Sequence, residues 1–200
     1  DPSNIQVRSA LLSAVKLLRD THAIASYKRI LGKNPTSKAM SIEFKDLSKI
    51  DSIYENFAGV VRMKNGRLHI FVNAQHKDAP VEAIAVLLAG LSVHCDSLDS
   101  VNEQIFAWSL EANLWDYFLY QNPGLELFDN KLVKRENAIR KLYIASPENV
   151  NYIIRLVRMS DAYNKLEIDS PGYSKAELEN KIRILHNIYR TTQKARTAGY

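Results

Sequence analysis

The chain has 200 residues, of which 46% are hydrophobic and 24% charged, with net charge +5. This suits one packed domain, or one with a helical extension, and excludes a disordered or fibrous polymer. A single cysteine, Cys95, excludes an internal disulfide, and the longest apolar run, Ala83–Leu91, is well short of the roughly 18 residues of a membrane span, so no transmembrane helix is expected.

In chain order, the start at Asp1-Pro2 without methionine reads as a processed or trimmed chain. Asn4–Leu18 has Ile5, Leu11, Leu12, Val15 and Leu18 at helical spacing, with Ser3 or Asn4 as cap. Gly32–Pro35 reads as a loop, and Ser41–Leu47, with Ile42 and Phe44, as a short strand. Residues 59–73, GVVRMKNGRLHIFVN, form the clearest local signal. Asn65-Gly66 suits a two-residue hairpin turn in which both central residues take positive φ. That register pairs Met63 with Leu68 and Val61 with Ile70 on an apolar face, and Arg62 with His69 on a mixed one, as for a sheet covered on one side.

Asp78 caps the next predicted helix, about 79–94, with Pro80 in its first turn. It is apolar on nearly every side and is expected to be deeply buried. A polar break at Asp96–Asp99 precedes Ser100-Val-Asn-Glu103, a capping-box pattern that opens a helix to about Gln121. Asn122-Pro123-Gly124 stops it. Lys131–Ile144 is a further helix, Ser146-Pro147 starts another to about Met159, and Ser174-Lys-Ala-Glu177 caps a long basic helix toward Arg196. Residues 1–125 carry 13 basic and 13 acidic side chains; residues 126–200 carry 14 and 9, so all the excess charge lies there. A basic surface of this kind is either a solvated helix face or a site for nucleic acid, anionic lipid or an acidic protein.

The stretch Val72–Trp115, VNAQHKDAPVEAIAVLLAGLSVHCDSLDSVNEQIFAWSLEANLW, resembles the core of small zincin-type zinc metallopeptidases. The likeness lies in the order of hairpin, buried helix, short turn and a helix bearing a further acidic ligand. In that family the buried helix carries H-E-x-x-H, two zinc-binding histidines on one face with the catalytic glutamate between them. Placing His94 at the second histidine gives Gly90-Leu91-Ser92-Val93-His94. Gly90 then stands where the first histidine would be and Leu91 where the glutamate would be, while Glu103 matches the later acidic ligand. Phe106-Ala107-Trp108 and Glu111 continue the pattern. Leucine can neither take up a proton nor orient water, so the resemblance implies a retained fold whose hydrolytic chemistry is lost.

The expected architecture is therefore α+β and helix-dominated: a small antiparallel sheet with its hairpin packed on the zincin-like helix, then a helical C-terminal part. The expected division is 1–125 and 126–200, packed as one domain. No cofactor is expected, with zinc an open alternative held by His94 and Glu103. His94 also reads as a hydrogen-bonded residue near a helix C-terminus, and Glu103 as a capping residue. Asp96 and Asp99 read as turn and cap, Cys95 as a small packed side chain, and Trp108 and Trp115 as core. His69 and His76 flank the strand-to-helix turn; His22 and His186 are scattered.

Three functions follow. The first is a catalytically inactive metallopeptidase-like module that binds protein or extended peptide at a sheet edge. The second is a zinc-dependent hydrolase rebuilt around His94 and Glu103 with Asp96, Asp99 or His69. The third is a binder of nucleic acid or anionic surfaces through the basic C-terminal helices.

Overall fold

The computed structural model describes residues 2–33, 39–96 and 99–199. The helix cap at Ser3 or Asn4, Asn34-Pro35 of the first loop, the centre of the 96–99 break and the side chains of Cys95 and Asp96 lie outside what it describes. The fold is α+β and helix-dominated. Helices are α1 (Pro2–Arg19), α2 (Ile24–Ile30), α3 (Val81–Leu91), α4 (Val101–Gln121), α5 (Lys131–Ile144), α6 (Asn151–Met159) and α7 (Lys175–Ala198). Strands are β1 (Ser41–Lys45), β2 (Gly59–Lys64) and β3 (Arg67–Asn73). Among the described residues no helix is long and apolar enough to cross a membrane. The chain divides into two compact units, residues 1–97 with 129–134, and residues 98–128 with 135–200.

In the first unit the three strands are ordered β1-β3-β2. The β2–β3 hairpin has the register read from the sequence, with Arg62 opposite His69, Val61 opposite Ile70 and Met63 opposite Leu68. Asn65 and Gly66 take φ of 52° and 70°, as the tight turn requires. β1 joins the other side of β3 in parallel, so the sheet is mixed rather than purely antiparallel.

That placement has a physical consequence. To pass from one edge strand to the other, residues 46–58 must cross the sheet, and they cover the face that looked open. Leu47 packs with Val60 and Phe71, and Ile50, Tyr54 and Phe57 join them. The mixed face is thus a second small core. The Arg62 guanidinium lies over the Tyr54 ring at 4.5 Å, the Lys45 ammonium over Phe71 at 4.9 Å, and Ser41 Oγ bonds to His69 Nδ1. Asn73, buried at the end of β3, donates from Nδ2 to the Glu55 and Phe57 carbonyls at 3.0 Å each and pins the crossing segment.

Helix α1 buries Leu11, Ala14, Val15 and Leu18, while Leu12, grouped with the apolar stripe in the sequence, is 62% exposed. Helix α2 was not apparent in the sequence. Ser26 on it donates to the Ala89 carbonyl of α3 at 3.2 Å. Helix α3 is buried from Ala83 to Leu91, as its all-round apolar character requires. Its start differs from expectation: Pro80 is the N-cap, with ψ 143°, and no side chain caps the helix, so Asp78 does not. The turn before it is set by Asn73, whose Oδ1 accepts from Gln75 N. Its end differs too. α-Helical winding stops at Leu91, and Ser92–Asp96 follows as 3₁₀ winding interrupted by a kink at His94, whose φ −79°, ψ 25° is not helical.

In the second unit α4 carries sixteen buried residues along its 21, many of them polar. α5 matches its predicted span and α7 its predicted start, where Ser174 and Glu177 form a reciprocal capping box. α6 begins four residues after Pro147, not at Ser146-Pro147. Val150 interrupts with φ 48°, ψ 29° and is 2% exposed. A β-branched residue rarely adopts this conformation, and burial of its side chain holds it there.

Gly59 supplies the sharpest test of packing between β2 and α3. A Cβ at Gly59 would stand 2.5 Å from Leu91 Cδ1 and 3.0 Å from the Phe71 carbonyl oxygen. Gly59→Ala is expected to cost about 1–3 kcal/mol by overpacking. In a Leu91→Ala background that added cost should shrink, because the leucine arm is gone. Urea unfolding of the two single variants and the double variant measures the coupling.

Candidate functional site

The positions singled out by the resemblance fall at the end of α3 and the start of α4. Gly90 is buried in the last turn of α3. Leu91, 8% exposed, turns its side chain onto Gly59 of β2. The place that the resemblance gives to a catalytic carboxylate is therefore filled by an alkyl group packed on a strand. His94 is half-buried in the 3₁₀ stretch that follows. 3₁₀ winding turns about 120° per residue against about 100° in an α-helix, so position 94 is not stacked over position 90 as an α-helical i,i+4 pair would be.

His94 belongs to the first unit and Glu103 to the second. Glu103 is 1% exposed in the first turn of α4; its N–H donates to Ser100 Oγ at 3.1 Å and its carboxylate accepts from Ser170 Oγ at 3.4 Å. Its neighbour Asn102 donates to Asp169 Oδ1 at 2.7 Å and to the Tyr173 carbonyl at 3.0 Å. The start of α4 thus holds the 167–173 segment, a structural duty for the capping residues. Asp99 is exposed. His69 is engaged by Ser41 and stacks on Phe71 at 5.7 Å, while His76 is buried in the 3₁₀ turn after β3. His186 in α7 lies 3.5 Å from Glu148. Trp115 is fully buried and donates to Asn137 Oδ1 at 2.8 Å, whereas Trp108 is half-buried, edge-on to Tyr163.

The edge of β2 is the second feature. β2 pairs with β3 alone, and no other strand flanks it among the described residues. In a two-residue hairpin Lys64 and Arg67 exchange hydrogen bonds, and such pairs alternate along an antiparallel ladder. Arg62 and Val60 therefore bond inward to β3, consistent with the Asn73 N–H donating to the Ala58 carbonyl at 2.9 Å. Gly59, Val61 and Met63 direct their N–H and C=O groups outward. One of these is occupied: Arg62 Nη1 donates to the Val61 carbonyl at 3.0 Å. Met63, 58% exposed, stands beside this edge.

A third feature is the charged interior of the second unit. Arg135 Nη1 donates to Glu111 Oε2 at 2.6 Å and also to Glu136 Oε1. Both carboxylates are essentially buried, and Glu136 Oε2 has no hydrogen-bond partner among the described residues. Two carboxylates share one guanidinium. Burial pushes Glu111 up to about 8, Arg135 pulls it down in part and Glu136 adds repulsion; burial likewise raises Glu136 against the pull of Arg135. Burial alone would lower Arg135, but its two carboxylate neighbours outweigh that and raise it. Tyr163 nearby is pushed up to about 12, chiefly by burial. Five residues further along α4, Asp116 accepts from Arg140 Nε at 2.7 Å and pairs with Arg196 at 3.2 Å. Asn113 donates to Tyr143 Oη at 3.1 Å and to the Leu185 carbonyl at 3.0 Å. The sequence signal was the presence of Glu111, Asn113 and Asp116 within an otherwise apolar helix; their partners, 24 or more residues away, left no local trace.

With this geometry in hand, comparison with protein-family models, curated proteins and solved structures finds no match to the chain.

The charge trio generates a pH prediction. Glu111 has a folded-state value near 8, above the unfolded value of about 4.3. A raised carboxyl contributes stability that is fully present below about pH 4.3 and is lost as pH rises through about 8. The stability difference between the parent and Glu111→Gln is expected to move against the parent between pH 5 and pH 8, by up to roughly 1 kcal/mol per pH unit. Urea unfolding of both proteins across that range reads it; parallel pH profiles would show that the trio binds no extra proton.

Proposed function

We propose that this chain is a non-catalytic, metallopeptidase-like module that binds an extended peptide along the open edge of β2. The observation that supports this best is the outward-facing backbone of Val61 and Met63 on a strand with one partner. Such an edge supplies main-chain hydrogen bonds to an added strand, and side chains on alternate positions then give selectivity. The exposed Met63 is a deformable apolar contact for such a ligand. Arg62, which occupies the Val61 carbonyl, would have to yield it when the peptide pairs.

The same reading accounts for Gly90 and Leu91. Under the zincin resemblance they take the places of the first zinc histidine and the catalytic glutamate. An alkyl group packed on Gly59 favours retention of the strand over activation of water. Binding without cleavage needs the edge and not the metal.

The test is selection of peptides from a displayed library of short sequences on the parent chain, followed by affinity measurement on Met63→Pro. Proline is tolerated on an edge where the N–H faces solvent, so this variant is expected to unfold with the parent. Selected peptides should lose at least about ten-fold in affinity, which corresponds to roughly one strand hydrogen bond with its alignment. Arg62→Ala should bind as well as the parent or a few-fold better. Equal affinity for Met63→Pro would reject the edge. Stoichiometric zinc with chelator-sensitive peptide hydrolysis would reject the non-catalytic assignment in favour of a rebuilt hydrolase.

A further inference from the structure

Helix α6 carries more apolar surface than its own unit covers. Ile153 and Val157 are fully buried and seat the helix. Tyr152, Leu156 and Met159 are exposed by 42%, 37% and 83%. With about 100° between successive residues, these three positions, spaced i, i+4 and i+7, fall within roughly 60° of arc. They form a continuous stripe instead of the isolated apolar side chains normal on any surface.

The flanks of the stripe differ. On one side lies the seam of Ile153 and Val157. On the other lie Arg155 and then Arg158, both exposed, with the Arg155 guanidinium 5.7 Å from the Tyr152 ring centre. No acidic residue occurs in α6, and residues 126–200 carry the whole +5 excess. An apolar stripe bordered by arginines is complemented by an apolar stripe bordered by carboxylates. The exposed stripe runs about two helical turns, the contact length a short helix offers through its own i, i+3 or i+4, and i+7 side chains. Leucine and methionine supply an adaptable seat, and arginine beside an aromatic ring is the type of residue that anchors an interface.

We propose that the exposed face of α6 is a docking site for an amphipathic helix of a partner protein, with its apolar face on Tyr152, Leu156 and Met159 and its Asp or Glu flank on Arg155 and Arg158. This surface belongs to the second unit and is independent of the β2 edge. The charge border sets orientation and association rate, while the apolar stripe supplies most of the affinity.

The experiment uses the full chain and two synthetic helical peptides, identical in their leucine stripe, one flanked by glutamates and one by lysines. Fluorescence anisotropy is followed at low and moderate salt. The glutamate peptide should bind, and the lysine peptide should bind at least about ten-fold more weakly. Leu156→Glu with Met159→Glu should weaken the glutamate peptide by at least about ten-fold, as should Arg155→Glu with Arg158→Glu, whereas the second pair should improve the lysine peptide. All four substitutions are at exposed positions, and the circular dichroism melt of each variant should match that of the parent. Equal binding of the two peptides, or variants that bind as the parent does, would overturn the proposal. So would concentration-dependent self-association lost in Leu156→Glu with Met159→Glu, which identifies a second copy as the occupant. Sedimentation with phosphatidylserine vesicles but no peptide binding would overturn it in favour of a lipid surface.

Discussion

Three carboxyl groups on α4, Glu103, Glu111 and Asp116, sit out of water, and the second unit supplies the latter two with guanidinium partners. An unpaired buried carboxylate costs several kcal/mol, so the helices that surround α4 have little choice of register. α5 places Arg135 against Glu111 and Arg140 against Asp116, five residues apart on each helix. α7 brings Arg196 to Asp116 and its Leu185 carbonyl to Asn113. The same α4 fixes Trp115 through Asn137 and Tyr143 through Asn113. Three of the fourteen basic side chains of residues 126–200, Arg135, Arg140 and Arg196, are therefore half-buried counter-charge. Most of the rest is outward, including Arg155 and Arg158.

The first unit is organised on a different constraint, the close approach of α3 to the sheet. Gly59 has no side chain where Leu91 arrives, and the crossing segment 46–58 seals the opposite face with Leu47 and its neighbours. A hydrolytic glutamate at position 91 would have to hold a charge against that strand. A leucine is at home there. The edge strand, the packed leucine and the change from α to 3₁₀ winding at Ser92 all concern the same few residues, which is why binding by the strand is a more economical reading than chemistry at the helix.

Elements with local causes were legible. The Asn65-Gly66 turn sets its hairpin register through backbone φ alone, and the Ser174–Glu177 capping box marks the start of α7. Elements with tertiary causes were not. α2 has two turns and no side-chain cap, and it is held by the Ser26 bond to α3. The hydrophobic pattern of 81–94 does not distinguish α from 3₁₀ winding, so the end of α3 was read too late. Ser146-Pro147 has the composition of a helix start, yet the chain spends four more residues turning through Val150. Gly90, Leu91, His94 and Glu103 were named through the resemblance to the zincin motif and carry no local signal of a metal site on their own. The Glu111–Arg135–Glu136 trio could not be named, because a polar residue on a buried helix announces a need for a partner without saying which.

The open edge of β2 also bears on how the chain avoids its own kind. A strand with outward N–H and C=O groups is a template for any copy of itself, and stacked copies grow without limit. Here the strand is short, its end carries Arg62 and Lys64, and the Arg62 guanidinium is folded onto the one outward carbonyl between Val60 and Arg62. Two such strands laid side by side would bring like charges together and leave that carbonyl already taken. Arg62 thus stands as a gatekeeper against sheet-to-sheet aggregation, and a chain lacking it would trade solubility for a stickier edge.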